Sequence, residues 1–270
     1  MPALARLVHP APAAAVVCLT AVLGAILSQQ AGQPPLGIRV GLTTLAVLGS
    51  QVVTGAMNDW ADRDADAVTQ PSKPIPAGEL APSAALALAG AGLVLQLAAS
   101  IPLGAPALLF GLAAVASAVV YDLWLSRTAA SFVPYLVSFG ILPLWIAAGV
   151  GVPLERVALA PLLVGPFAVA AHLANTLKDF EGDAAMGSRN LAQVLGRGRA
   201  QVLAWALAVG VGIGSGVALA ATERLGLPSL LLGLVGLLAV GAGVRRADRL
   251  WSGMLVAAVC WTAAWALATA

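Results

Sequence analysis

Charge is scarce in this chain. Only 10% of its 270 residues are Asp, Glu, Lys or Arg and 60% are hydrophobic, whereas a water-soluble domain averages about 25% charged. That shortage excludes an ordinary soluble domain and points to an integral membrane protein. Cysteine is almost missing too. Cys18 and Cys260 lie in apolar runs near opposite ends, with no C-x-x-C and no histidine partner at metal spacing, so they read as small apolar residues and not as zinc ligands. The net charge of +2 excludes nothing by itself, because the distribution of charge carries the information.

What the chain has in abundance is apolar runs near the ~20 residues needed to cross a bilayer. They fall at 11–31, 36–57, 83–101, 104–121, 130–150, 155–174, 201–221, 227–244 and 250–269. The first could pass for a signal peptide's apolar core, but further spans of the same character follow it, so we read it as a retained helix. Turn chemistry breaks the runs at Gln33-Pro34-Pro35, Pro102-Leu103-Gly104, Gly151-Val152-Pro153 and Leu225 to Pro228. These short connections alternate with charged ones at 58–82, 122–129, 175–200 and 245–249. The expected fold is an all-α membrane protein of nine transmembrane helices, forming one polytopic domain over 1–270 from two related four-helix halves plus a ninth helix.

Lys and Arg set the orientation. Arg6, Arg63, Lys73, Arg127, Lys178, Arg189, Arg197, Arg199, Arg245, Arg246 and Arg249 lie on the side of the charged connections, against Arg39, Arg156 and Arg224 opposite. By the positive-inside rule the charged loops are cytoplasmic, in a multi-pass protein of the plasma (inner) membrane.

Two stretches concentrate the polar chemistry. NDWADRDAD, residues 58–66, and NTLKDFEGD, residues 175–183, share N-x-x-x-D-x-x-x-D. On a helix, residues four apart fall about 40° from one another, so Asn58, Asp62 and Asp66, and Asn175, Asp179 and Asp183, would each line one face, with Asp59 within about 60° of the first. Asp64 and Glu181 would point away and be solvated or paired with Arg63 or Arg189. One Asp-rich loop alone reads as a solvated connection; a second one in the same chain argues for a shared site, since clustered carboxylates raise one another's pKa unless cations hold them ionised. A calcium loop over Asp62, Asp64 and Asp66 fails, because its sixth position is Ala67 and its twelfth Lys73. Carboxylates with an amide suit Mg²⁺, which usually bridges to substrate phosphates. Arg63, Lys73, Arg127, Lys178 and Arg189 stand in or near these loops, as phosphate ligands or as bases that any cytoplasmic loop collects. Pro74 and Pro76 would stiffen the segment after Lys73. Tyr121, with Asp122, ends the fourth run as a site residue or an interfacial anchor.

NDWADRDAD with QPSKPIPAGEL, and NTLKDFEGDAAMGSRNLAQVLG, resemble the two signatures of the UbiA superfamily of intramembrane prenyltransferases. YDLWLSR, residues 121–127, is similar to that family's tyrosine-and-base stretch. The resemblance implies a nine-helix fold, Mg²⁺ held by Asn58, Asp59, Asp62, Asp66, Asp179 and Asp183 on a prenyl diphosphate, and phosphate contacts from Lys178, Lys73 and Arg127. Arg63, Arg189 and Asn175 join the substrate-binding candidates, and Tyr121 and Lys178 the catalytic ones. The chain departs from the family pattern where it carries His9-Pro10 in place of Arg-Pro, which makes His9 a further candidate. The implied reaction is prenyl transfer to an aromatic or other lipophilic acceptor, with membrane lipids as surroundings and no nucleic-acid partner. A terpene cyclase on the same scaffold is the alternative. A transporter would be expected to bury ionisable groups at the midplane and often uses inverted repeats, whereas this repeat is parallel.

Overall fold

Proline decides where many of the helices begin. Its missing N–H and fixed φ suit the first turn of a helix, and Pro10, Pro82, Pro106, Pro161 and Pro228 each occupy the first or second position of one. The computed structural model describes residues 2–244 and 246–269; Arg245, counted above among the bases, lies outside them. The described residues form thirteen α-helices in two units, the first running to Ser126 and including Ile141–Ala158, the second made of Arg127–Gly140 and the chain from Leu159.

The first unit contains α1 (Ala3–Arg6), α2 (Pro10–Gln30), α3 (Ile38–Ala61), α4 (Arg63–Thr69), α5 (Pro82–Ser100) and α6 (Ala105–Val120), with the second half of α7 (Val133–Val150). Its axis is α3, which packs along α5 and approaches it closely where Gly49 meets Gly92. A Cβ added to Gly49 would lie 2.6 Å from the Gln96 backbone nitrogen and the Gly92 carbonyl oxygen, the close approach that small residues permit between membrane helices. Trp145, Ile146 and Val150 of α7 are buried in this unit, the last against Val40 and Val152. Arg39 ties the far end by donating to the carbonyls of Leu103, at 3.1 Å, and Ala148, at 3.3 Å.

The second unit contains α8 (Pro161–Thr176), α9 (Phe180–Ala185), α10 (Leu191–Leu195), α11 (Arg197–Ala221), α12 (Leu227–Gly241) and α13 (Ala247–Thr269). Its core joins Leu173 and Leu177 to Ala200, Ala204 and Ala208 of α11 and to Leu250, Met254 and Trp261 of α13. The Trp261 indole donates to the Gly233 carbonyl at 3.2 Å, so the ring's polar edge is satisfied inside the core.

Among the described residues, seven helical segments are long and apolar enough to cross a membrane: Pro10–Gln30, Ile38–Ala61, Pro82–Leu103, Ala105–Leu125, Val133–Val150, Arg197–Ala221 and Arg249–Ala268. The runs expected at 155–174 and 227–244 form shorter helices, α8 of 16 residues and α12 of 15. At 1.5 Å per residue these rise about 24 and 22 Å, short of the ~30 Å of hydrocarbon. Proline accounts for the late start of α8: Leu154–Val157 is a separate 3₁₀ turn, and the helix proper opens at Pro161. The short helices α1, α4, α9 and α10 lie at the N-terminal end and within the charged connections.

Candidate active site

The first motif keeps its helical register across a junction. Asp62 separates α3 from α4 with φ −90° and ψ 2°, yet the ladder passes through it. Asp62 N–H donates to the Asn58 carbonyl at 2.9 Å, Asp66 N–H to Asp62 at 2.8 Å and Gln70 N–H to Asp66 at 2.8 Å. Asn58, Asp62 and Asp66 are thus successive rungs of one stack, and Asp59 and Asp66 are buried. Asp64 is not: its side chain is 89% exposed and pairs with Arg63 at 3.7 Å. Arg63 also donates to the Trp60 carbonyl at 2.6 Å and stacks on that indole, so it faces its own helix end.

Lys73 lies at the centre of the cluster. Its ammonium is 2.8 Å from Asp66 Oδ2 and 3.0 Å from Asp59 Oδ1. Burial alone would lower its pKa, but hydrogen bonds and charge from Asp66 and Asp59 outweigh that and raise it. Burial raises the Asp66 carboxyl above the ordinary range in spite of Lys73. Turns hold the lysine there: Ala77 N–H donates to the Lys73 carbonyl and Glu79 N–H to Pro74, with Pro74 buried. Arg6 pairs with Glu79 and also donates to the Ser72 carbonyl, which ties the N-terminal segment to this loop. His9 completes the arrangement with Nε2 3.0 Å from Asp59 Oδ1. It does so from the left-handed region, φ 49°, which costs a non-glycine residue roughly 1–3 kcal/mol unless its surroundings hold it.

The fourth run does not simply end at Tyr121. It continues as a π-helical turn, Tyr121–Leu125, closed by Ser126 N–H to the Tyr121 carbonyl at 2.9 Å. That turn buries Asp122, whose Oδ1 accepts a hydrogen bond from Asn58 Nδ2 at 3.3 Å. Asp122 was not among the expected site residues.

In the second unit the other motif departs from the expected continuous face. Lys178 N–H closes on the Asn175 carbonyl at 3.1 Å, a tight i→i−3 turn that follows the end of α8. Leu177, buried in the core, anchors this turn. Asn175 is therefore out of four-residue register with Asp179, whereas Asp183 N–H donates to Asp179 at 2.8 Å and keeps that step. The Lys178 ammonium lies over the Trp251 ring at 4.0 Å and 3.4 Å from Asn175 Oδ1; partial burial lowers its pKa, and the Asp179 charge opposes the shift. Asp183 accepts from Asn190 Nδ2 at 2.7 Å. Asn190, also missed, is signalled by N-x-x-Q at the start of α10: its Oδ1 accepts from Gln193 N–H, a helix cap. Glu181 is exposed as expected, but its partner is Arg197 at 3.0 Å, not Arg189. The Arg189 N–H donates to the Arg127 carbonyl at 2.9 Å, which joins those two segments of the second unit.

Among the described residues no three His, Cys, Asp or Glu side chains converge at metal-binding distance. The donor chemistry nevertheless fits Mg²⁺: Asn58, Asp59, Asp62 and Asp66 are all hard oxygen donors. Asp59 and Asp66 already share one cation, the Lys73 ammonium.

A model of the UbiA prenyltransferase family matches residues 17–254. The chain belongs to that family. Over 195 residues this UbiA-family chain is 32% identical to the digeranylgeranylglyceryl phosphate synthase of Pyrococcus abyssi, a match covering 67% of the chain and 65% of that enzyme. It is 35% identical over 134 residues to the protoheme IX farnesyltransferase of Methylobacterium radiotolerans, covering 47% of the chain and 40% of that enzyme. The chain thus spans less than two thirds of the length of either relative. Among solved structures, an apo UbiA homologue from Aeropyrum pernix matches with a TM-score of 0.76 and 19% identity, over 93% of this chain and 95% of that one. A UbiA homologue from Archaeoglobus fulgidus bound to GPP and Mg²⁺ matches with a TM-score of 0.69 and 18% identity over 100% of both chains. These two similarities establish the shared fold.

Proposed function

We propose that this UbiA-family protein transfers a prenyl group from a prenyl diphosphate to a lipophilic acceptor at the membrane, with Mg²⁺, releasing diphosphate. The observation that carries the reading is the Asp59–Lys73–Asp66 cluster, its two carboxylates buried, beside Asn58 and Asp62 at the end of an apolar helix. Burying two carboxylates is costly unless a cation pairs with them, and carboxylates with a fixed ammonium are what a metal–diphosphate ligand requires.

In this reading Asn58, Asp59, Asp62 and Asp66 of the first motif hold Mg²⁺, as do Asp179 and Asp183 of the second. Bound Mg²⁺ supplies positive charge against the charge that grows on the leaving group. Lys73, Lys178, Arg127 and Arg189 bind phosphate oxygens, with His9, Arg63 and Asn175 around them and Tyr121 beside the reacting end. Breaking the allylic carbon–oxygen bond leaves its electron pair on the diphosphate and a cation on the prenyl carbon. The acceptor supplies the electron pair of the new bond and loses a proton. The Lys73 loop, braced through Glu79 to Arg6, excludes water that would otherwise capture the cation.

The same reading gives one domain with nine crossings, α8 and α12 included, and the charged connections on the cytoplasmic side of the inner membrane. The experiment incubates the purified full chain with Mg²⁺, labelled prenyl diphosphates of several lengths, and aromatic, tetrapyrrole and glycerophosphate acceptors. A labelled conjugate with one acceptor class, formed with equimolar diphosphate, is expected. A cyclised hydrocarbon formed without any acceptor would replace transfer by cyclisation.

A further inference from the structure

Asn58 is an amide among acids, and its neighbours settle which way it points. Its Nδ2 lies 3.2 Å from Asp62 Oδ2 and 3.3 Å from Asp122 Oδ1. In both contacts the amide nitrogen donates to a carboxyl oxygen, so the NH₂ end, with its two hydrogens, faces the two acids. The carbonyl oxygen, the only atom of the side chain able to ligate a hard cation, is thereby turned away from both.

Asp122 is difficult to explain as a packing residue. It is 6% exposed, and its Oδ2 is buried with no hydrogen-bond partner. An unpaired buried polar atom costs about 1–3 kcal/mol, and an apolar side chain of similar shape would avoid that cost. Its backbone setting is unusual as well. The residue lies on the π turn Tyr121–Leu125, which packs on α3, and single π turns inside helices occur frequently at functional sites.

We infer that Asp122 is a positioning residue for the metal site: it fixes the Asn58 amide so that the Asn58 carbonyl oxygen is presented as a ligand. The inference rests on the proposed function, since it assumes that Asn58 holds Mg²⁺. Outer carboxylates of this kind typically contribute 10–100-fold to metal affinity.

The test measures Mn²⁺ binding by electron paramagnetic resonance on the purified full chain, with melting temperature recorded alongside. Asp122→Ala is expected to weaken Mn²⁺ binding by about tenfold or more while the melting temperature holds or rises, the opposite of what loss of a structural residue does. Asp122→Asn keeps an acceptor oxygen and is expected to stay within about threefold of wild type; being nearly isosteric, it keeps the test informative if the alanine variant does not fold. In an Asn58→Ala background, Asp122→Ala should add nothing, because coupled residues are non-additive. Wild-type affinity in Asp122→Ala, or a loss that adds in full to that of Asn58→Ala, overturns the inference while leaving the metal reading intact. A wild-type protein that binds no Mn²⁺ removes the metal reading, and this inference with it.

Discussion

Asp64 and Asp66 stand two residues apart and have opposite surroundings. Asp66 is buried on Lys73, whereas Asp64 is solvated beside Arg63. Asp64→Ala is expected to keep turnover within about twofold, because an exposed ion pair is worth only about 0–1 kcal/mol; the same holds for Glu181→Ala. Asp62→Ala or Asp66→Ala should lower turnover by at least ~100-fold, on the scale of removing a group that stabilises transition-state charge. Steady-state rates of the four variants decide it, and equal losses at positions 64 and 66 would mean the face has been misassigned. Lys73 gives a second prediction. Replacing it by Met leaves two buried carboxylates without their cation, a loss of about 3–5 kcal/mol, read as a lower melting temperature that added Mg²⁺ partly restores. Pairing raises the Lys73 pKa above the ordinary 10.5, so its contribution is complete below that value and fades only as pH rises through the raised one. The deficit should therefore persist at about pH 9.

At the scale of elements, α3 carries the first motif and owes its position to α5. Gly92→Val should force the two backbones apart, since a Cβ there would meet the Gly49 carbonyl at 2.8 Å and Val52 at 2.9 Å. Overpacking of this kind costs about 1–3 kcal/mol, and metal affinity should fall with the melting temperature because Asn58 to Asp66 move with α3. Gly41→Ala on the same helix has nothing within 4 Å and should be neutral or stabilising by up to about 1 kcal/mol. Thermal unfolding of the two variants makes the comparison. The α3 to α4 face was legible because four-residue spacing survives the Asp62 junction. The turn at Asn175 to Lys178 was not, because an i→i−3 closure anchored by Leu177 leaves the same letters at the same intervals. Nor was the π turn: its ladder takes in one extra residue, and Tyr121 to Leu125 carry no proline or glycine to mark it. Asn190 was legible in N-x-x-Q, but its link to Asp183 seven residues earlier depends on how the loop folds back.

For the whole molecule, the spacing of apolar runs located every long helix, while α8 and α12 came out shorter than a bilayer: α8 opens late, at Pro161, and α12 closes early, at Gly241. The proposed topology is tested with Cys18 and Cys260 replaced by Ser and single cysteines placed at Ser72, Ala185 or Thr222. The first two should react only with a reagent applied from the cytoplasmic side, and the third only from outside. Reaction of positions 72 and 185 from opposite sides would overturn the proposed topology. The central claim, that the acids around Lys73 serve a metal–diphosphate ligand, is tested most directly by diphosphate release from a prenyl diphosphate with and without a divalent-ion chelator. The account predicts that release stops with chelator and returns when Mg²⁺ is restored; release at the full rate in excess chelator would contradict it.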